Sequence, residues 1–377
     1  MEYLDNAIEI LKKLNNNGYE AYIVGGFVRD RLLKIKTNDL DITTSAKTDD
    51  IKKIFEDVID SGTKYGGVIV KIKNYEYEVT TFRKDIDYID HRHPIVEYTD
   101  NVKDDLIRRD FTINSLLLDK DLKLYDYLNG VSDLNNHIIR AIGDINKRFN
   151  EDALRILRAF YFEAKLGFDI DEETLKAMNE AAIYLENISS DRIIRELKKL
   201  LKSKYSIKAL TSLYNSNAID YLHNIKKSIK IAIENGLNCD IIDLLIISKY
   251  YSEDISYYQL SKKDNVFINN VINNLDRRMT NYEIFSLGEK VIKKIDYINS
   301  ALKLHNYNYS DIYSKLVIKD KNELNVDSNI LKEKLNICDK NLSKYLNVAL
   351  RAVLNEEVVN APESIINYLK GHKENGK

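Results

Sequence analysis

Two aspartates one residue apart, Asp39 and Asp41 in TNDLDITT, follow the glycine pair Gly25 and Gly26 of YIVGGFVRDRLL, and residues of these types can handle phosphates. On a strand, side chains two apart project to the same face, so the two carboxylates would share a polar surface while Leu40 and Ile42 turn to an apolar one. Like charges held that close repel unless a cation lies between them, and magnesium takes such oxygen ligands. Asp39 and Asp41 are therefore the candidate metal ligands and catalytic carboxylates. Glu78, in YEVTTF, alternates with Tyr77 and Val79 and would face them from a neighbouring strand as a third catalytic carboxylate. Two-metal phosphoryl transfer uses such a set, one ion activating the attacking hydroxyl and the other holding the triphosphate.

Other polar residues supply the complementary charge. Gly25 and Gly26 stand between an apolar strand and a helical stretch, an arrangement that exposes backbone N–H groups to an anion, and Arg29 could add a guanidinium to the same phosphate. The segment DDLIRRDFTIN brings Arg109, suited to phosphate, with Asp110 and Asn114, suited to ribose hydroxyls. In EDALR, Asp152 and Arg155 lie three apart and would be neighbours on one helical face. An acceptor beside a donor matches the amino group and ring nitrogen on the pairing edges of both cytosine and adenine, whereas uracil and guanine present the reverse order. The plainer readings are a tight turn, a solvated strand face, a helix cap at Asp110 and an intrahelical ion pair.

These residues need a scaffold, and the chain of 377 residues is long enough for two or more domains. Up to about residue 125, short β-rich runs alternate with helical segments; beyond about residue 145, helical periodicity takes over. The expectation is an α+β protein: a small N-terminal α/β part with a modest sheet, then an all-α remainder. A net charge of −2 gives no global pull on nucleic acid, so any such partner must be held by local basic patches. Cys239 and Cys338 stand far apart and indicate neither a disulfide framework nor zinc, which suits a reducing compartment. The first residues are unlike a signal peptide, and the longest apolar run is too short to span a bilayer, so no membrane partner is expected. The charged stretch from Lys84 to Ile107 has little clear periodicity and reads as a mobile loop, in which His91 and His93 lack the further ligands of a metal site.

In order along the chain, GGFVRD, DLD, EVTTFR, RRDFTIN, HIIRAIGD and EDALRILRAF resemble the motifs of the class II tRNA nucleotidyltransferases. These are the bacterial CCA-adding enzymes and their poly(A) polymerase relatives in the DNA polymerase beta superfamily, and the resemblance covers roughly residues 20 to 200. It implies a nucleotidyltransferase head (1–125), a neck that recognises the base (126–205), a helical body (206–310) and a tRNA-binding tail (311–377). It implies magnesium as cofactor, CTP and ATP as substrates, and tRNA, through its 3′ end and acceptor arm, as the cytoplasmic partner. The metal role falls on Asp39 and Asp41, and nucleotide contacts fall on Gly26, Arg29, Arg109, Asp152, Arg155 and Arg158. The full-length stretch after TTFR favours complete CCA synthesis over CC-only addition. Alternatives are a poly(A) polymerase, a partial A-only or CC-only enzyme, or a non-catalytic RNA-binding protein on the same fold. The sequence departs from the family pattern at Lys34, where a glycine is usual, and at Tyr161, where an arginine is usual.

Overall fold

A computed structural model describes residues 2–60, 66–88, 94–304 and 307–374, which fall in two compact units, 1–226 and 227–377. The first unit begins with α1 (Glu2–Asn16), β1 (Ala21–Val24), α2 (Gly26–Leu32), β2 (Asp41–Thr44), α3 (Thr48–Ile54), β3 (Val58–Asp60), β4 (Gly67–Ile72) and β5 (Tyr75–Thr81). There follow β6 (Arg83–Tyr88), β7 (Pro94–Tyr98), α4 (Val102–Ile107), β8 (Leu117–Leu118) and β9 (Leu124–Tyr125). Seven strands form one mixed sheet in the order β3-β4-β5-β2-β1-β8-β9. Its β-branched and aromatic residues, Ile23, Ile42, Val68, Val70, Tyr77 and Val79, are buried, as residues that pack well on a pleated surface should be.

Register puts the chemistry at one end of this sheet. Val24, the last residue of β1, pairs with Asp41, the first of β2, and on its other side with Leu117 of β8. The chain turns at Gly25 immediately afterwards, and Gly25 N–H donates to the Leu116 carbonyl at 3.4 Å. The glycine turn, Asp41 and the segment before β8 therefore meet without any long connection having to find them.

The stretch from Lys84 to Ile107, expected as a loop, instead contributes the antiparallel pair β6–β7 and the helix α4. Charged residues disguised the strands: Lys84 faces Glu97 across the pair and bonds it at 3.0 Å, so opposite charges supply the cross-strand match that apolar side chains would normally signal. His91 and His93 lie outside the described residues.

Beyond β9 come α5 (Gly130–Asn135), β10 (Ile138–Ile139), α6 (Ile145–Glu151), α7 (Leu154–Leu166), β11 (Asp169–Ile170), α8 (Glu172–Ala181), α9 (Ser190–Leu201) and α10 (Ser206–Tyr214). The part expected to be all-α thus contains one parallel pair, two residues in each strand, between β10 and β11. Helix α7 buries Ile156, Leu157, Phe160 and Ala164, and it ends at Gly167 with φ 74°, a conformation glycine adopts without Cβ strain. The second unit is helical, with segments such as Ile241–Tyr250, Glu289–Ala301 and Asp339–Leu354. There Asp240 and Asp243 form a capping box, and the buried Asp243 also accepts from Lys294. Among the described residues, no helix is long and apolar enough to cross a membrane.

Candidate active site

A cleft of ≈ 470 Å³ in the first unit is lined by Gly25, Gly26, Arg29, Asp39, Asp41, Arg109, Asp110, Asn114, Asp152, Arg155 and Arg158. Gly25 has φ 78° and ψ −134°, a combination open to glycine and strained for other residues. A Cβ there would stand 3.5 Å from Arg109 Nη1 and 3.8 Å from Asp41 Oδ2, so the turn runs close beside both side chains.

Asp41 begins β2, but Asp39 lies in the irregular segment before it, where strand alternation no longer fixes the side chain. The expected picture of both aspartates on one strand face is corrected to that extent. Leu40 and Ile42 do turn into the core, at 2% and 1% exposure. Glu78 pairs in register with Asp41 across the parallel β2–β5 ladder, yet it is exposed and does not line the cleft. Among the described residues, no three acidic, histidine or cysteine side chains are gathered closely enough to form a metal-holding group by themselves. Burial, then the charges of Asp39 and Glu78, push the Asp41 carboxyl up to about 6 against the opposing pull of Arg109. An all-oxygen donor pair whose charges repel suits a hard divalent cation.

Next to the carboxylates runs a hydrogen-bonded polar chain. Arg29 is buried; its Nε and Nη2 donate to Asp30 Oδ1 at 2.8 and 2.6 Å, and its Nη1 donates to Asn114 Oδ1 at 2.5 Å. Asn114 Nδ2 donates to Asp110 Oδ1 at 2.9 Å, and Arg158 Nε and Nη2 donate to Asp110 Oδ2 at 2.8 and 2.5 Å. Burial alone would raise the Asp110 carboxyl, but Arg158, Asn114 and the Phe111 amide outweigh it and hold it at about 2. Asp110 is therefore an ionised anchor for Arg158, and the helix-cap alternative gives way to an ion pair. Arg109 is oriented from behind by the buried Asp105, which accepts from it at 3.1 Å and from Arg108 at 2.6 Å.

The pair expected to read the base is arranged differently from the helical-face expectation. Asp152 has φ −147° and ψ 97° and lies between α6 and α7, so it shares no helical face with Arg155. Its carboxylate takes Arg192 at 3.3 Å, from α9. Arg155 is buried and donates to the carbonyls of Arg148 and Arg108 at 2.8 and 3.1 Å and to Glu151 at 3.3 Å.

Sequence reading passed over Asp30, Asp105, Phe162, Lys165 and Lys199, and it noted Tyr161 only as a departure. Asp105 had a signal, since it stands three and four residues before Arg108 and Arg109 at helical spacing. Asp30 stands in the GGFVRD motif, but its link to Lys165 had no signal, the two being 135 residues apart and joined only in the fold. Tyr161 lines the cleft with Lys199, whose ammonium lies 5.8 Å from the centre of its ring.

Family models match three stretches: the Poly A polymerase head domain over residues 21–140, the "Probable RNA and SrmB-binding site of polymerase A" over 167–227, and tRNA nucleotidyltransferase domain 2 over 256–369. Over 97% of its length the chain is 34% identical to a CCA-adding enzyme of Streptococcus agalactiae, covering 96% of that relative. The chain belongs to the CCA-adding enzyme family. A CCA-adding enzyme of Staphylococcus epidermidis is 32% identical, with 98% of both chains covered. The crystal structure of the Bacillus stearothermophilus CCA-adding enzyme in complex with CTP superposes with a TM-score of 0.84 at 29% identity, over 100% of this chain and 98% of the other. The nucleotidyl transfer of CCA-adding enzymes employs divalent metal, and Asp39 and Asp41 are among the carboxylates that line this cleft.

Proposed function

We propose that the protein adds and repairs the 3′-terminal CCA of tRNA in the cytoplasm, using CTP and ATP and releasing pyrophosphate. The observation that carries this reading is the convergence, in one cleft, of the paired aspartates, the glycine turn and a chain of arginines, in a member of the CCA-adding family. Magnesium at Asp39 and Asp41 would acidify the tRNA 3′-hydroxyl and offset the charge of the triphosphate.

The chain's own residues do the rest. The Gly25–Gly26 turn lets phosphates approach the backbone, and Arg109, close beside the turn as Asp41 is, supports the reacting phosphate. Arg29 and Arg158, held by Asp30 and Asp110, present preset guanidiniums and spend no entropy on ordering when the nucleotide arrives. Asp110 and Asn114 orient these arginines and the ribose. Glu78 contributes its charge to the Asp41 end from the adjoining strand. Asp152 and Arg155 select the base by exchanging their present partners, Arg192 and the backbone carbonyls, for the pairing edge of C or A. A base with the reversed pattern would leave groups unpaired, at roughly 1–3 kcal/mol per mismatch. In this reading, residues 1–125 are the catalytic head, 126–205 the neck, 206–310 the body and 311–377 the tRNA-binding tail.

The test is product length. With magnesium, CTP and ATP, tRNA lacking its last three nucleotides should gain three and stop. Long A tails or a terminus ending in CC would replace this reading with one of its relatives, and binding without extension would remove catalysis from it.

A further inference from the structure

Helix α7 is fastened to the N-terminal sheet region at two points two turns apart. Arg158 grips Asp110, and seven residues later Lys165 Nζ donates to Asp30 Oδ2 at 2.8 Å. Asp30 is 2% exposed and divides its oxygens between two elements: Oδ1 takes two N–H groups of Arg29 on α2, while Oδ2 takes Lys165 on α7. With Arg29–Asn114 and Asn114–Asp110 the bonds form a continuous polar arc, Lys165–Asp30–Arg29–Asn114–Asp110–Arg158, bridged by α7 itself. Phe162, on the same face of α7 at spacings of four and three, fills the arc; the Arg29 and Arg158 guanidiniums lie 5.1 and 5.4 Å from its ring centre. Arg29 is thus fixed on two edges by hydrogen bonds and on one face by an aromatic ring.

We propose that Asp30 and Lys165 are positioning residues for nucleotide binding: their ion pair locks Arg29 in the cleft and fixes the spacing between α2 and α7. The inference rests on the nucleotide-cleft reading above and adds two residues to it. Lys165 acts through Asp30, because its ammonium is already engaged by a buried carboxylate. Opening the link leaves Asp30 Oδ2 without that cation and frees α7 to move away from α2, so the guanidinium must be ordered by the incoming nucleotide. The effect falls on nucleotide binding, since both residues line the cleft and their side-chain bonds run to Arg29 and to each other rather than to Asp39 or Asp41.

The experiment uses the full chain with magnesium, ATP and tRNA lacking only its terminal A, together with calorimetric titration of ATP and CTP in the absence of tRNA. Lys165→Met and Asp30→Asn should each raise KM and nucleotide Kd about tenfold while kcat stays within about twofold. Lys165→Arg should restore both constants. The double variant should bind no more weakly than the weaker single variant, since either substitution opens the same link. An unchanged Kd in Lys165→Met, with its fold intact by thermal melting, would overturn the proposal. Losses that multiply in the double variant would also overturn it, by showing that Lys165 meets the nucleotide directly. Failure of the wild type to extend tRNA would instead remove the functional reading, and the titrations would still decide the positioning role.

Discussion

Asp41 and Asp110 line the same cleft, and their surroundings shift them in opposite directions. Asp110 is surrounded by donors and kept at about 2, whereas Asp41 is partly buried among like charges and raised to about 6. Because the folded value for Asp41 lies above that of an unfolded aspartate, its contribution favours the fold below about pH 4 and is lost as pH rises through about 6. In chelator, Asp41→Asn should therefore melt higher than wild type at pH 7.5, by roughly 1–2 kcal/mol once partial exposure is allowed for, and the two should converge near pH 4. Equal melting temperatures across that range would show that Asp41 carries no such strain. The paired aspartates and Arg109 could be singled out from sequence because their types and spacings carry the chemical signal, and Arg158 through the resemblance of EDALRILRAF to a family motif. Lys165 could not, since it looks like an ordinary surface charge until the fold joins it to Asp30, which stands in the GGFVRD motif without a role of its own.

Elements position these groups through turns whose backbone is less ordinary than their side chains. Lys34, in the place where the family pattern has glycine, has φ 58°, and the Lys34 and Ile35 N–H groups bond the Arg31 and Asp30 carbonyls at 3.1 and 2.8 Å. This is a Schellman ending of α2, so the turn leading to the aspartates keeps the left-handed residue despite the substitution. Lys34→Gly should raise stability by up to about 1 kcal/mol without altering activity. Gly25→Ala should lower both stability and activity, through backbone strain rather than collision, because the nearest atom to its added Cβ would be 3.5 Å away. Thermal melts and nucleotide incorporation check the two together, and a Gly25→Ala variant as stable as wild type would refute the strain argument. The main strands and helices were legible from periodicity. The extended break at Asp152 was not, because no glycine or proline marks it, and β6–β7 was not, because charged residues such as the facing Lys84 and Glu97 interrupt apolar alternation there.

At the scale of the molecule, the change from a mixed sheet to helices was readable because hydrophobic period changes along the chain. The short β10–β11 pair escaped because two residues carry no period. What composition hid was local concentration: a chain of net charge −2 gathers six cationic side chains, Arg29, Arg109, Arg155, Arg158, Lys165 and Lys199, around one cleft, with carboxylates that hold several of them in place. The central claim is that this cleft, through Asp41, performs nucleotide addition to tRNA. Its most direct test is a single-turnover assay of wild type and Asp41→Asn on tRNA lacking only the terminal A, with ATP and magnesium, alongside a measurement of tRNA affinity. The account predicts one A added per tRNA by the wild type, a loss of at least about a thousandfold in the variant, and unchanged tRNA binding. Extension by Asp41→Asn at a rate near that of the wild type would contradict it.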